Sequence, residues 1–185
     1  SFPVSRISFD LLDDYVNQAL SLANDGGLVL NHSGANGYHI ILKSNNKMDI
    51  KRVNSLTSPC TVCLEQICTR WRWGVCTRYQ CVDYESIETS GIASESNYSQ
   101  NLDIPSNGII FVKDNVWVDG MVNGTRVTIL AFKDPITGNN TDIILNNNLS
   151  SIKDDDVIGL IAQRDIKIGF YSQNILNIDA AMIAK

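Results

Sequence analysis

The stretch from Asn107 to Phe132, NGIIFVKDNVWVDGMVNGTRVTILAF, limits what this chain can become more than any other. Its apolar residues arrive in short runs spaced as strands are, not as helices are: Ile109-Ile110-Phe111-Val112, Val116-Trp117-Val118, then Val127, Ile129 and Leu130. Between them stand Lys113-Asp114-Asn115, Asp119-Gly120 and Asn123-Gly124, corners that turn sharply because Gly and Asn tolerate positive φ. A hairpin would not need so many corners.

The pattern returns downstream. Ile158 to Ala162, the corner Gln163-Arg164-Asp165 and the run Ile166-Lys167-Ile168 parallel Ile109 to Val118, while Thr128 to Ala131 and Ala181 to Ala184 resemble further copies of the apolar run. Copies separated by roughly 20 residues fall within the span of solenoid repeats, whose units bury their faces only by stacking. The half from 107 to 185 therefore reads as a β-solenoid, parallel β-helix-like, each rung a triangle of short strands. Ile110, Ile129, Ile161 and Ile183 are expected to line one column. A β-sandwich is the competing architecture, since short strands with turn signals also suit it.

The chain of 185 residues, with net charge −5, is long enough to bury a core in one compact unit without metal or disulfide. Its negative balance disfavours nucleic acid and anionic membranes as partners of the global field. No cofactor is expected, and no apolar run reaches transmembrane length. Asn is heavily used at corners such as Asn45-Asn46, Asn139-Asn140 and Asn146-Asn147-Asn148, where side-chain amides can bond from rung to rung. The glycosylation-type sequons at Asn31, Asn97, Asn123, Asn139 and Asn148 carry little weight in so Asn-rich a chain.

Taken in order, residues 1–58 read as an extended lead-in, a helix and a small β-meander. Ser8 fits an N-cap, and Leu11, Leu12, Tyr15, Val16, Ala19, Leu20 and Ala23 recur at three- and four-residue intervals until Gly26-Gly27 stops the helix. Its apolar stripe is expected to cap the open end of the solenoid. Leu28–Leu30, Tyr38–Leu42 and Met48–Val53 would form the antiparallel meander. His32 and His39, the two histidines, lack metal spacing and read as structural or surface residues.

Residues 59–106 read as an insertion, a Cys-rich hairpin followed by a polar loop. All five cysteines fall in CTVCLEQICTRWRWGVCTRYQC, Cys60 to Cys81. Disulfides are the favoured reading, zinc the second (Cys60, Cys63, Cys68, Cys76 and Cys81, but without a second CxxC), and a redox CxxC the third. If Cys68–Cys76 closes a hairpin centred near Arg72, the same register sets Cys63 opposite Cys81 and leaves Cys60 as a spare or intermolecular thiol. Arg70, Trp71, Arg72, Trp73, Arg78 and Tyr79 cluster at the tip, a candidate interaction patch for sugars, bases or phosphates. The favoured alternative packs the Trp side on the body and leaves the Arg side wet. Val82 to Pro105 reads as a long polar surface excursion, and Lys153-Asp154-Asp155-Asp156 as a solvated turn without the glycine and glutamate of an EF-hand.

NGIIFVKDNVWVDGMVNGTRVTILA, DVIGLIAQRDIKIG and IDAAMIAK together resemble the C-terminal region of bacterial PilX-like pilus-assembly proteins. SFPVSRISFDLL, the helix and GGLVL resemble the segment that precedes that region in some members, while the cysteine segment has no counterpart. The resemblance implies an envelope-associated protein whose full version carries an N-terminal membrane helix, with the β-rich part outside the cell. It implies a truncated or processed form, since members continue past the last motif, and it transfers no catalytic residue.

The leading expectation is a non-enzymatic, extracellular structural protein, pilus-associated or filament-forming, with an adhesive role for the hairpin, and partnered by further copies, envelope components or a surface glycan. Contact with a membrane is expected only through a segment outside this chain. Two alternatives stand beside it: a polysaccharide-acting β-helix enzyme using carboxylates among Asp114, Asp119, Asp165 and Asp179, and a zinc-binding interaction module on the cysteines.

Overall fold

The computed structural model describes residues 10–133, 140–170 and 172–184. The expected lead-in, the Ser8 cap and most of the Asp134 to Asn140 loop lie outside them. The described chain is mainly β with one helix: α1 (Asp10–Asn24), β1 (Leu28–Leu30), β2 (Gly37–Lys43), β3 (Lys47–Leu56), β4 (Cys60–Arg72), β5 (Val75–Ile87), β6 (Ile92–Asp103), β7 (Ile109–Val112), β8 (Val116–Val122), β9 (Arg126–Ala131), β10 (Ile143–Ser151), β11 (Val157–Ala162), β12 (Ile166–Ile168) and β13 (Ala181–Ala184).

Two sheets hold the core. The first has the order β1-β7-β9-β11-β13 and is parallel throughout; the second has the order β12-β10-β8-β2-β3-β6. In the second sheet β12, β10, β8 and β2 are parallel neighbours, and β3 and β6 add on as antiparallel strands. From β7 to β13 each successive strand crosses to the other sheet. No hairpin joins these strands, unlike the sandwich alternative.

The alternation along each strand explains the burial. Leu30, Ile110, Val112, Ile129, Ala131, Leu160 and Ala162 from the first sheet meet Tyr38, Ile40, Val116, Val118, Ile143 and Leu145 from the second in one cluster. The intervening residues point outward. Phe111, Leu130 and Phe132 pack with Val16 and Ala23 of α1 on the outer face of the first sheet, which is why β7 and β9 read as continuous apolar runs. On the outer face of the second sheet, Trp117, Val53 and Ile144 form a smaller cluster with Ile92, and the Trp117 indole N–H donates to the Ser90 carbonyl at 2.7 Å. Gly120, at φ +106°, lets β8 approach β2 so closely that a Cβ would sit 2.1 Å from the Leu42 carbonyl oxygen.

Several expectations are corrected by this arrangement. Ile110 pairs with Ile129, which pairs with Leu160 and then Met182; Ile161 and Ile183 belong to the next column, with Phe111 and Leu130, so the four isoleucines split between the two faces. A one-residue slip in the assumed copies moved them across, as the period of two dictates. The helix does not cap an end. It covers a face, while Met48 and Ile50 of β3, with Leu102 and Ile104, extend the inter-sheet core beyond β2. The meander dissolves, because β1 pairs in parallel with β7 and only β2 and β3 form a hairpin. Val82 to Pro105 is no polar excursion: it contains the end of β5 and all of β6, which pairs with β3 through several register shifts. Ser and Asn along β6 face water on an edge strand, which disguised it.

Corner residues lock adjacent layers. Asp142 accepts Arg164 Nε at 2.7 Å and Lys167 Nζ at 2.7 Å, while its N–H donates to Asn115 Oδ1 at 2.9 Å. Burial pushes the Asp142 pKa up, but the two cations outweigh it and hold the carboxyl below its ordinary value. Asn148 Oδ1 accepts the Asn177 N–H at 3.0 Å, and Asn146 Nδ2 donates to Asp119 at 3.1 Å, so part of the asparagine usage does link layers.

Candidate functional site

Strands β4 and β5 form a two-stranded sheet of their own, 13 residues to an arm, paired with neither main sheet. Cys63–Cys81 and Cys68–Cys76 are disulfides, each with Cα atoms 5.8 Å apart, and Cys60 is free, half-buried at the base opposite Ile87. Four of five thiols are thereby consumed, so the zinc reading loses its ligand set.

The register differs from the expected one. The turn is Trp73-Gly74, not Arg72, and the residues opposite Cys63 and Cys68 are Tyr84 and Tyr79. The arms skip one residue each on either side of a single ladder pair, Leu64 and Val82 around Glu65–Asp83 and Thr69 and Thr77 around Arg70–Arg78, and these paired bulges bring the cysteines together diagonally. Extra residues in a ladder increase local twist, which is how sulfurs not directly opposite reach each other. Each arm thus carries Cys, a bulge residue and a pairing segment in the same order, once per disulfide.

Opposite residues of an antiparallel pair share a face. Trp71 lies opposite Cys76 and Tyr79 opposite Cys68, placing both aromatics on the disulfide face. Arg70 lies opposite Arg78 and Arg72 opposite Val75 on the other face, where Arg70, Arg72, Thr77 and Arg78 line a shallow cavity of about 250 Å³. Trp71 is 66% exposed and Trp73 91%. The expectation that the Trp side packs on the body is therefore wrong: the hairpin stands clear, so neither face is covered. Trp73 and Gly74 have φ of 55° and 78°, the positive pair that a two-residue type I′ loop requires. A bulky residue in the left-handed region is a genuine outlier, and such outliers cluster at functional positions.

A second cluster lies on the outer face of the second sheet. His39, 5% exposed, bonds Glu95 Oε2 through Nδ1 at 2.8 Å and Asp119 Oδ2 through Nε2 at 3.0 Å, and Lys51 pairs with Glu95. His39 and Glu95 border a cleft of about 600 Å³ that Asn146, Asn147, Gly169 and Ser172 also line. Two carboxylates can only accept, so both ring nitrogens donate and the imidazole is cationic. Burial lowers its pKa, but Asp119 and Glu95 more than offset that and raise it above the ordinary value. With both nitrogens engaged, His39 has none to offer a substrate. The sequence hid this cluster because Glu95 sat in the stretch read as loop.

No family model, curated protein or solved structure matches this chain.

The carboxylates of the enzyme alternative are scattered and already occupied. Asp114 Oδ2 accepts the Ser33 N–H at 2.9 Å and its hydroxyl at 2.7 Å, Asp119 holds His39, and Asp179 Oδ2 accepts the Ser151 N–H at 3.2 Å. Asp165 lies at a corner 3.4 Å from Lys167 and 3.5 Å from Arg164. Asp156, in the acidic turn, caps backbone N–H groups of Thr125 at 2.8 Å and Lys153 at 2.9 Å. Among the described residues no group of three or more His, Cys, Asp or Glu could hold a metal, and no helix is long and apolar enough to cross a membrane.

The His39 clamp makes a pH prediction. A raised imidazole pKa contributes stability that is complete below the unfolded value, about 6.5, and is lost as pH rises through the folded one. Glu95, whose burial is outweighed by Lys51 and His39, has a lowered pKa; its contribution is present above the unfolded carboxyl value and is lost as pH falls through the folded one. Thermal melts should therefore decline from neutral to alkaline pH. His39→Ala should cost about 2 kcal/mol near neutrality by taking one partner from each of two part-buried carboxylates, which keep only Lys51 and Asn146, and should flatten the alkaline decline.

Proposed function

We propose that the chain is a non-enzymatic cell-surface scaffold, a β-solenoid built from one parallel sheet and the parallel part of a second, that carries a disulfide-stapled hairpin as its binding element. Supporting the solenoid reading, the strands from β7 to β13 alternate between sheets and the residue columns repeat from layer to layer. The resemblance of the same motifs to PilX-like pilus-assembly proteins supports a place at the bacterial envelope. Two disulfides are compatible with an oxidising, extracellular setting.

One observation carries the reading: a long hairpin outside both sheets holds two exposed indoles at its tip, an arrangement that costs solubility unless something binds there. Catalysis has less support, because the carboxylates serve as corner clamps and His39 is fully engaged. Filament growth by end-to-end stacking is also disfavoured. Beyond β2 the second sheet carries two more strands, β3 and β6, so laying β13 of one copy along β1 of the next would bring β12 and β6 to the same level.

The test is retention on cell envelopes of the source organism. The native chain should be retained, and Trp71→Ser/Trp73→Ser should lose at least tenfold in retention with an unchanged melting temperature. Equal retention of the double variant would refute the hairpin as the binding element.

A further inference from the structure

We infer that the hairpin tip inserts into the interfacial layer of a lipid bilayer bearing anionic phosphate headgroups. The inference rests on the hairpin being a binding element and names its partner. Three observations point to it.

The first is charge. Between Thr69 and Tyr79 there are three arginines and no acidic residue, on a chain of net charge −5. Arg70 and Arg78 are directly opposite, a like-charge pairing that destabilises a ladder, and Arg72 joins them around one cavity. Among the described residues, none of the three is ion-paired with a carboxylate. Guanidinium groups gathered without a counter-charge suit phosphate oxygens, which accept their paired N–H groups. The acidic body is repelled by an anionic surface, so the molecule approaches tip first.

The second is the division of faces. Arginines occupy one face and Trp71 and Tyr79 the other, with Trp73 at the apex. A sugar chain lying on one face would meet guanidinium groups without aromatic platforms, or the reverse. A bilayer interface surrounds the tip and meets both faces at once, and it favours indole and phenol rings beside arginine.

The third is depth. At about 3.3 Å per residue the Arg70/Arg78 level lies roughly 10 Å from Trp73, and the opposed acids Glu65 and Asp83 roughly 25 Å. The basic and aromatic segment thus matches the interfacial layer. The acids beyond it resist deeper entry into an anionic surface.

The experiment uses the oxidised full chain with vesicles of phosphatidylcholine alone and of phosphatidylcholine mixed with phosphatidylglycerol. Co-sedimentation should be at least tenfold stronger with the anionic vesicles and should weaken with salt. Trp emission should shift to the blue and be quenched by brominated acyl chains, with buried Trp117 as a constant background. R70Q/R72Q/R78Q should weaken binding about a hundredfold, and W71S/W73S should remove the spectral shift. Absence of binding to anionic vesicles, while tip-dependent retention on envelopes persists, would overturn the lipid assignment and leave the hairpin reading intact. So would arginine-dependent retention on a sulfated or uronic polysaccharide without vesicle binding. Indifference of both vesicles and envelopes to the tip would remove both.

Discussion

Replacing Ile129 by alanine is expected to lower stability by about 4 kcal/mol, as large-to-small changes at fully buried sites do. Ile129 is fully buried in the middle strand of the first sheet, between Ile110 and Leu160 in its column and facing the second sheet. Backbones paired on both sides cannot close around the lost methyl groups, so most of the cavity remains. Met182 stands at the end of the same column on the edge strand β13, half exposed. Met182→Ala should cost less than about 1 kcal/mol, because water already touches the group that is removed. Thermal unfolding checks the pair: for a domain of this size, a fall of roughly 10 °C is expected for the first and little for the second. Similar losses at the two positions would contradict a column that is dry in its middle and open at its end.

Reduction of the disulfides should free the hairpin and spare the body. Isolated two-stranded hairpins are marginal in water, and β4 and β5 pair only with each other. In the chain-entropy account, cross-links at sequence separations of 8 and 18 each remove about 3 kcal/mol of unfolded-state freedom. Once those links are gone, the arms should open often enough for trypsin to reach the backbone at Arg70, Arg72 and Arg78. Cleavage there is expected to accelerate at least a hundredfold on reduction, while the melting temperature of the two-sheet body stays within a few degrees. Mass spectrometry of the fragments locates the cuts. Equal cleavage with and without reductant would show that the cross-links do not hold the arms. Loss of the body's transition would show that the hairpin is not energetically separate. The same treatment should abolish envelope retention if a rigid tip is required.

Some of this was visible in the residues. The apolar runs from Ile109 to Val118 and from Ile158 to Ile168 are strands separated at the polar corners Lys113-Asp114-Asn115 and Gln163-Arg164-Asp165. The recurrence of three- and four-residue spacing from Tyr15 to Ala23 marks a real helix. The edge strand β6 escaped notice because its polar side chains face water and its pairing with β3 is interrupted, so neither hydrophobic periodicity nor turn signals announce it. With β6 went Glu95, and with Glu95 the clamp around His39. The hairpin was legible as a hairpin. Its register was not, since paired bulges at Leu64/Val82 and Thr69/Thr77 leave no mark in composition.

The sequence alone determined the element types and the chemistry at the hairpin tip, because spacing of two or of three to four, turn residues and side-chain identity are local properties. Only the tertiary structure decided which strands are neighbours, which face α1 covers and whether Trp71 and Trp73 meet protein or solvent. Those outcomes depend on contacts between residues far apart in the chain. Leu28 meets Ile110 across a gap that contains the entire hairpin, and no local pattern encodes such a meeting.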